Sequence, residues 1–275
     1  MTFGQRLQAA FDSGGHLCVG IDPHAYLLKE WGLSDDAAGL REFGLRVVDA
    51  ASTRCAIVKP QVAFFERHGS AGFAALEEVL GAARDAGLLV IADAKRGDIG
   101  STFEAYADAW LRSGSPLEAD ALTVSPYLGA GSVDAARTFA LAHDKGLFVL
   151  SATSNPEALS LQMSRSEGGQ TVAASIVEEV EAWNSQEQGL GSTGLVLGAT
   201  VNLREFGIAD LANTPILAPG FGHQGARYAD LRAIYGAAAG HVVVSASRSI
   251  LAAGPGGIVG AIEYQAAEVA EALAA

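Results

Sequence analysis

The stretch VIADAKRGDIGST (residues 90–102) decides the fold, because an apolar run passes directly into a dense group of charges. Asp93, Lys95, Arg96 and Asp98 lie within six residues of one another. A nearly continuous apolar run is typical of a parallel strand that is covered on both faces. The charges follow at its carboxyl end, which is the edge where parallel α/β folds place their active sites. The stretch therefore predicts a parallel α/β fold with a functional site at this edge.

Apolar runs of the same kind recur along the whole chain. They predict eight strands, at residues 17–22, 55–60, 88–95, 121–127, 147–153, 194–200, 215–220 and 241–247. Ala-rich amphipathic segments such as FAALEEVLGAARDAG lie between the runs and are typical of helices. Eight strands alternating with helices favour a (β/α)₈ TIM barrel of the α/β class. A doubly wound open sheet is the alternative, but its first strand usually leads into GxGxxG, where this chain has GIDPH.

Length and patterning predict how the barrel is organised. The chain has 275 residues, 49% of them hydrophobic, which suits one barrel domain spanning residues 1–275. Phe3, Leu7 and Phe11 share one face of a predicted N-terminal helix. The longest connection between strands, at about residues 154–193, predicts an extra loop over the barrel mouth.

Composition excludes several classes of function. The formal net charge is −13, and such an acidic chain is not expected to bind nucleic acid, which requires a basic face. Cys18 and Cys55 lie in apolar runs and are expected to be buried thiols rather than disulfide or zinc ligands. No run approaches the length of a membrane span, and the N-terminus does not resemble a signal peptide. We therefore expect a cytoplasmic protein.

The charged stretch predicts an alternating array of bases and acids. Asp93 and Lys95 are two residues apart on a strand, so their side chains point the same way. Lys59 ends the neighbouring strand and can approach Asp93 from the side, while Asp98 follows in the loop. Such an array would fix a lysine beside a carboxylate in a partly desolvated place. An ion-pair network that only orders a loop is the alternative, but this density of charge at a barrel mouth favours chemistry.

The motifs resemble those of the orotidine 5′-phosphate decarboxylase family. DAKRGDIGST is similar to the family signature, in which the third strand ends in Asp-x-Lys-x-x-Asp. The motifs GIDPH, IVKPQ, VSPY, TSNP, PGFGHQG and SRSI agree with it in the expected order, over residues 17–250. The resemblance is greatest to the longer, second subgroup of the family. Because Asp-x-Lys-x-x-Asp alone also occurs in related decarboxylases and aldolases, the surrounding motifs carry the resemblance.

The resemblance implies decarboxylation of orotidine 5′-monophosphate to uridine 5′-monophosphate, in de novo pyrimidine biosynthesis, without a cofactor or a metal. Lys95 would stabilise negative charge at C6 of the pyrimidine and then protonate that carbon. Asp93 would lie near the substrate carboxylate, whose repulsion is relieved as CO₂ departs. Lys59 would orient Asp93 and contact the ribose, and Asp22 would bind the ribose hydroxyls.

The resemblance also implies a partner subunit. Asp98, with Ile99 and Thr102, would reach into the site of a second copy of the chain. The expected active unit is then a homodimer with shared active sites.

A separate pocket is expected for the substrate phosphate. Barrels often bind phosphate with the loops after strands seven and eight, and PGFGHQGA supplies glycines that permit close backbone approach. Arg248 supplies a bidentate cation. The resemblance implies that Gln224 bridges phosphate and pyrimidine and that Ser125 reads the base edge. Further contacts are expected from Pro219, Gly220 and Ser247. An ordinary turn is the alternative for the glycine-rich loop.

Some motif residues allow two interpretations. His223 either contacts the phosphate or is an exposed loop residue, and TSNP (residues 153–156) either covers the base or forms a routine turn. Ala152 stands where some relatives have a basic residue, and Ser247 stands where many have glycine.

Two rival functions follow from the same pattern. A metal-dependent relative, a 3-keto-gulonate-6-phosphate decarboxylase or hexulose-6-phosphate synthase, would need a glutamate where this chain has Lys59. A catalytically silent nucleotide-binding barrel is the other rival, and the intact charged set argues against it.

Overall fold

A computed structural model of the protein describes residues 1–209 and 211–275. Its eight parallel strands close into a barrel in chain order, and β1 pairs with β8. The strands are β1 (Leu17–Ile21), β2 (Ile57–Pro60), β3 (Leu89–Arg96), β4 (Ala121–Val124), β5 (Gly146–Ala152), β6 (Thr193–Leu197), β7 (Ile216–Pro219) and β8 (Val242–Ala246). The predicted (β/α)₈ barrel is confirmed, with strand ends that differ from the predicted ones by at most three residues, and the open sheet is excluded.

Helices follow the strands and cover the outside of the barrel. The α-helices are α1 (Phe3–Asp12), α2 (Ala25–Glu30), α3 (Ala37–Ala51), α4 (Val62–Glu66), α5 (Gly69–Asp85), α6 (Gly100–Leu111), α7 (Asp134–Ala142), α8 (Leu159–Gln162), α9 (Val172–Asn184), α10 (Leu231–Tyr235), α11 (Arg248–Leu251) and α12 (Gly254–Ala274). Short 3₁₀ helices span Ala130–Val133, Pro156–Ala158, Gly222–Gln224, Tyr228–Asp230 and Gly236–His241. In the long connection between β5 and β6, α8 precedes α9.

The amino end of the barrel is closed by α1. Thr2 and Gln5 form a capping box that starts this helix, because each side chain accepts a hydrogen bond from the other residue's backbone N–H. Phe3, Leu7 and Phe11 then enter the barrel and join one apolar side chain from each strand. These strand residues are Cys18, Ile57, Ile91, Ala121, Phe148, Val196, Leu217 and Val243. The floor of the barrel is therefore an apolar layer, and the interior can open only at the carboxyl end.

Four polar or charged residues lie in the layer above this floor, together with Leu150 and Pro219. Because every second residue of a strand faces the same side, the next interior positions lie two residues further along each strand. The residues there that line the open end are Lys59, Asp93, Thr123, Leu150, Pro219 and Ser245. The interior of the barrel therefore changes from an apolar layer to a layer that can bind polar ligands over a distance of two residues along the strands.

The two cysteines are not placed for redox chemistry. Cys18 is buried and Cys55 half-buried, and neither is in a disulfide. Burial raises the pKa of the Cys55 thiol to about 11, so the unreactive thiol is the stable form near neutral pH. No helix in the described part of the chain combines the length and apolar character needed to cross a bilayer.

Candidate active site

A cavity of about 770 Å³ opens at the carboxyl ends of the strands. Its lining contains nearly all the strand-end residues that the sequence motifs single out. They include Asp22, His24, Lys59, Gln61, Asp93, Lys95, Thr123, Thr153, Ser154, Asn155, Pro219, Gly220, His223, Gln224, Ser247 and Arg248. The volume suits a ligand of nucleotide size.

Asp93 is the centre of the hydrogen-bond network in this cavity. Its Oδ2 accepts from Lys59 Nζ at 2.8 Å and from Gln61 Nε2 at 3.0 Å. Its Oδ1 accepts from Lys95 Nζ at 2.6 Å and from Thr123 Oγ1 at 3.0 Å. Burial alone would raise the pKa of Asp93, but the charges of Lys59 and Lys95 outweigh burial and hold that pKa well below its usual value. The carboxylate is therefore ionised throughout the physiological range.

Lys59 is held charged by its neighbours although it is buried. Burial would lower the pKa of this ammonium, but the carboxylates of Asp93 and Asp22 raise it above its usual value. A fixed positive charge at the end of β2 therefore lies 2.8 Å from Asp93.

Lys95 reaches Asp93 from an irregular part of β3. The pairing of β3 with β4 shifts between Ala92 and Arg96, and Lys95 has φ +48°. A non-glycine residue in this left-handed region costs about 1–2 kcal/mol, so the surrounding bonds must hold it there. Its backbone N–H donates to Thr123 Oγ1 at 2.9 Å. The Lys95 side chain remains 46% exposed and faces the cavity.

The predicted array is interrupted at Asp98 within one chain. Lys59, Asp93 and Lys95 come together, but Asp98 lies in the loop before α6 and accepts the N–H of Ile99 at 2.8 Å. Ile99 and Thr102 are exposed, and none of Asp98, Ile99 and Thr102 lines the cavity of its own chain. The chain turns into α6 before Asp98 can join the network, so within one chain the network consists of Lys59, Asp93 and Lys95.

Ser125 does not line the cavity of its own chain. The strand β4 ends at Val124, so Thr123 is its last residue that faces the barrel interior. Ser125 lies one residue beyond the strand, donates its N–H to Arg96 O at 2.8 Å and does not line the cavity. Ser154, from the TSNP motif, lines the cavity instead, with its hydroxyl 3.5 Å from Gln224 Oε1.

The glycine-rich loop and the start of α11 form one side of the cavity. Gly220, Gly222 and Gly225 have positive φ values of +118°, +68° and +106°, which only glycine adopts without strain. Gln224 and Arg248 line the same side. Within the described residues, the Arg248 guanidinium forms no ion pair, and a cation facing a cavity in this way can receive an anion. His223 is exposed at the rim of the loop.

Ser247 packs against the end of β1. A Cβ on Gly20 would lie only 2.6 Å from Ser247 Cβ, so Gly20 leaves the space that Ser247 fills. The Ser247 hydroxyl is buried and lacks a hydrogen-bond partner among the described residues. It can therefore hydrogen-bond to a molecule in the cavity.

Asp22 also has unused hydrogen-bonding capacity. Its Oδ1 is buried and has no partner within the described ranges. A buried acceptor without a partner is costly, so Asp22 is prepared to accept hydrogen bonds from ligand hydroxyls.

Sequence reasoning missed three residues of this site. Gln61 lies within the motif IVKPQ, which assigns it no role, and Ser154 lies within TSNP, whose interpretation as base cover or routine turn does not single out its hydroxyl. Thr123 follows Ala121 by two residues, so the alternation of β4 would have placed it inside the barrel. Outside position 210, the structure contains no group of three or more His, Cys, Asp or Glu side chains placed to hold a metal ion.

Comparison with known proteins gives one family. The chain matches the model of the orotidine 5′-phosphate decarboxylase / HUMPS family over residues 15–258. It is 52% identical to the orotidine 5′-phosphate decarboxylase of Salinispora arenicola over 254 residues, which is 92% of this chain and 91% of that protein. It is 53% identical to that of Streptomyces coelicolor over 254 residues, again 92% and 91% of the two chains.

Solved structures agree with this result. A Streptomyces avermitilis protein assigned as an orotidine 5′-phosphate decarboxylase has a TM-score of 0.95 and 51% identity, with 100% of this chain and 96% of that chain covered. The Leishmania donovani OMP decarboxylase has a TM-score of 0.81 and 32% identity, with both chains covered completely.

Proposed function

The chain belongs to the orotidine 5′-phosphate decarboxylase / HUMPS family, and on that premise we propose that it decarboxylates orotidine 5′-monophosphate to uridine 5′-monophosphate. This lyase reaction belongs to de novo pyrimidine biosynthesis. The observation that carries the proposal is the Lys95 amine, held 2.6 Å from Asp93 Oδ1 in a cavity of nucleotide size.

Lys95 supplies the main stabilisation of the transition state. When the bond between C6 and the carboxylate breaks, CO₂ leaves and the electron pair remains on C6. This carbanion has no ring position over which it can delocalise. The Lys95 ammonium lies beside the developing charge, then transfers a proton to C6 and regains one from solvent. The reaction needs no electron acceptor, so we propose no cofactor and no metal.

Asp93 contributes in the ground state. Its lowered pKa keeps it negative, and the substrate carboxylate would lie beside it. Departure of CO₂ relieves this repulsion, although the electrostatic effect of Lys95 is the larger contribution. Lys59 holds Asp93 in place and contacts the ribose, and the unpartnered Oδ1 of Asp22 accepts from the ribose hydroxyls.

The phosphate binds between the loop after β7 and the start of α11. Gly220 and Ser247 offer backbone N–H groups, and the Arg248 guanidinium is the cation that faces the same space. Gln224 connects the phosphate to the pyrimidine, next to Pro219 and near the Ser154 hydroxyl. Binding energy from the phosphate, remote from C6, can then serve the chemical step.

We further propose a homodimer in which Asp98, Ile99 and Thr102 complete the partner's site. Support comes from exposed apolar side chains on the loops after β3 and β4: Ile99 is 62% exposed and Tyr127 is 76% exposed. Both loops leave the carboxyl end of the barrel, and large exposed apolar side chains at one end of a protein are typical of an interface.

A mixing experiment tests the shared site. Lys95→Ala and Asp98→Ala variants are each expected to be inactive. Unfolded and refolded together, they should recover about a quarter of the wild-type activity, because half of the dimers are mixed and each has one intact site. No recovery, with dimers present by sedimentation, would show that each site is built from one chain.

We propose that residues 1–275 act as one barrel domain in the cytoplasm. Enzyme activity in the soluble cell fraction, and a single unfolding transition of the purified chain, are the expected observations.

The deciding experiment follows the absorbance of orotidine 5′-monophosphate with purified protein in EDTA. Turnover without added metal is the expected result. Activity that EDTA abolishes and Mg²⁺ restores would favour the metal-dependent relatives, although Lys59 beside Asp93 would repel such a metal. Tight binding of uridine 5′-monophosphate without any turnover would favour a silent nucleotide-binding barrel.

A further inference from the structure

We propose that Thr123 is a positioning residue that sets the place of the Lys95 amine; this inference rests on the proposed function. Thr123 Oγ1 lies 2.9 Å from the backbone N of Lys95 and 3.0 Å from Asp93 Oδ1. The side chain is buried, with 1% of its surface exposed, and it is the β4 residue that lines the cavity. One hydroxyl thus connects the main chain of Lys95, the proposed proton donor, to the side chain of Asp93.

The direction of each hydrogen bond follows from the chemistry of the groups. The Lys95 N–H can only donate, so the hydroxyl accepts there. A hydroxyl has a single proton, and the ionised Asp93 carboxylate at 3.0 Å is a nearer and stronger acceptor than Ala92 O at 3.5 Å. Thr123 therefore accepts from the backbone of Lys95 and donates to Asp93 at the same time.

The backbone of Lys95 explains why this bond is needed. At φ +48°, where the β3–β4 pairing shifts, the N–H of Lys95 is not bonded to the main chain of β4 but to the Thr123 hydroxyl. Without the hydroxyl, that N–H would lose its partner, and the strained residue would be free to return to an ordinary extended conformation. Such a change would turn the Lys95 side chain away from Asp93.

The side chain of Asp93 is restrained by the same contact. Among residues 1–209 and 211–275, its Oδ1 receives only Lys95 Nζ and Thr123 Oγ1, whereas its Oδ2 is held by Lys59 and Gln61. Loss of the hydroxyl would leave Oδ1 restrained by the Lys95 amine alone, which is also the group that must move its proton to C6. The hydroxyl therefore fixes the carboxylate independently of the amine.

The test compares Thr123→Val, which replaces the hydroxyl by a methyl group of similar size, with Thr123→Ser, which keeps it. For Thr123→Val we expect kcat on orotidine 5′-monophosphate to fall about 10- to 100-fold, as for other small misplacements of a catalytic group, with KM changed less than about threefold. Thr123→Ser should restore kcat to within about threefold of wild type. The affinity for uridine 5′-monophosphate, measured by calorimetry, should be the same in all three proteins.

A matched control uses a buried threonine at the other end of the barrel. Thr214 precedes β7, is fully buried and accepts from Asn184 Nδ2 at 2.7 Å. Thr214→Val should lower the melting temperature without changing kcat per folded molecule. If Thr123→Val does not fold, Thr123→Ala gives the same comparison with Thr123→Ser.

Each outcome decides the role of Thr123. If the wild type is active and Thr123→Val has wild-type kcat, or if Thr123→Ser is as slow as Thr123→Val, the positioning role is wrong while the proposed function stands. If the wild-type protein does not decarboxylate the substrate, the proposed function fails, and this role fails with it.

Discussion

Two networks of charged residues, each centred on a buried aspartate, lie at opposite ends of this barrel. At the carboxyl end, Lys59, Asp93 and Lys95 form the network described above. At the amino end, Asp120 Oδ1 pairs with Arg6 at 2.5 Å, and Lys145 pairs with Glu118 at 2.7 Å. Each network borders a cavity, of about 770 Å³ and 530 Å³ respectively. Charge density beside a cavity therefore does not by itself identify a catalytic site.

The difference lies in what remains unsatisfied. At the amino end, Asp120 Oδ2 accepts from Val90 N at 2.9 Å, and Lys145 is 7% exposed between two carboxylates. At the carboxyl end, the half-exposed Lys95 and the unpartnered Asp22 Oδ1 both face the cavity. A network that satisfies its own groups stabilises the fold, whereas one with free donors and acceptors is prepared for a ligand.

The largest effect is expected from Lys95→Ala. In the proposed mechanism this substitution removes both the positive charge beside C6 and the proton donor, so kcat should fall by about 10⁴-fold or more. The melting temperature should change little, because Asp93 keeps its bonds to Lys59 and Gln61. The absorbance assay and thermal unfolding measure the two quantities. Near-normal turnover by this variant would mean that the network at the carboxyl end is not catalytic and does not differ from that at the amino end in this respect.

The opposite result is expected from Asp120→Ala at the amino end. It leaves Lys145 buried with one fewer partner and the Val90 N–H without an acceptor, so the free energy of unfolding should fall by about 3–5 kcal/mol. The kcat of the molecules that remain folded should equal that of wild type. Urea titration and active-site titration with a tight inhibitor measure stability and folded fraction separately. A kcat per folded molecule clearly below that of wild type would mean that the network at the amino end takes part in catalysis.

Sequence patterns predicted the barrel better than the site. The strands follow from continuous apolar runs, and the polar layer follows from two-residue alternation above Ile57 and Ile91. The end of β4 was predicted three residues too late, because the residues after Val124 do not reveal where the strand ends. The conformation of Lys95 was not predictable either, since a non-glycine residue with positive φ is rare.

Contacts between distant segments were the other limit. Arg6 and Asp120 are 114 residues apart, so no local pattern pairs them. The bond from Lys95 N–H to Thr123 depends on the shift in pairing between β3 and β4, which appears only when both strands are placed. In both cases the sequence shows which groups are present, but only the closed barrel shows that they lie within hydrogen-bonding distance.

A smaller effect than that of Lys95 is expected from Arg248→Ala. The guanidinium would contact the phosphate and not C6. Its loss should cost about 2–3 kcal/mol of transition-state stabilisation, so kcat/KM should fall roughly 30- to 150-fold. Decarboxylation of orotidine, which lacks the phosphate, should be unchanged by the substitution. Equal losses on both substrates would mean that Arg248 acts at the pyrimidine or on the fold.

The smallest effect is expected in the pH dependence of stability. The lowered pKa of Asp93 means that the folded state binds its proton less readily than the unfolded state. Its contribution is therefore fully present above the unfolded pKa of about 4, and it is lost as the pH falls from there towards the folded pKa. One such group adds a slope of at most about 1.4 kcal/mol per pH unit. Urea titrations between about pH 6 and pH 3 should show a shallower loss for Asp93→Asn than for wild type. Parallel curves for the two proteins would mean that another group causes the acid sensitivity. Glu118 at the amino end would be the next group to test. Burial would raise the pKa of Glu118, but Lys145 lowers it below its usual value.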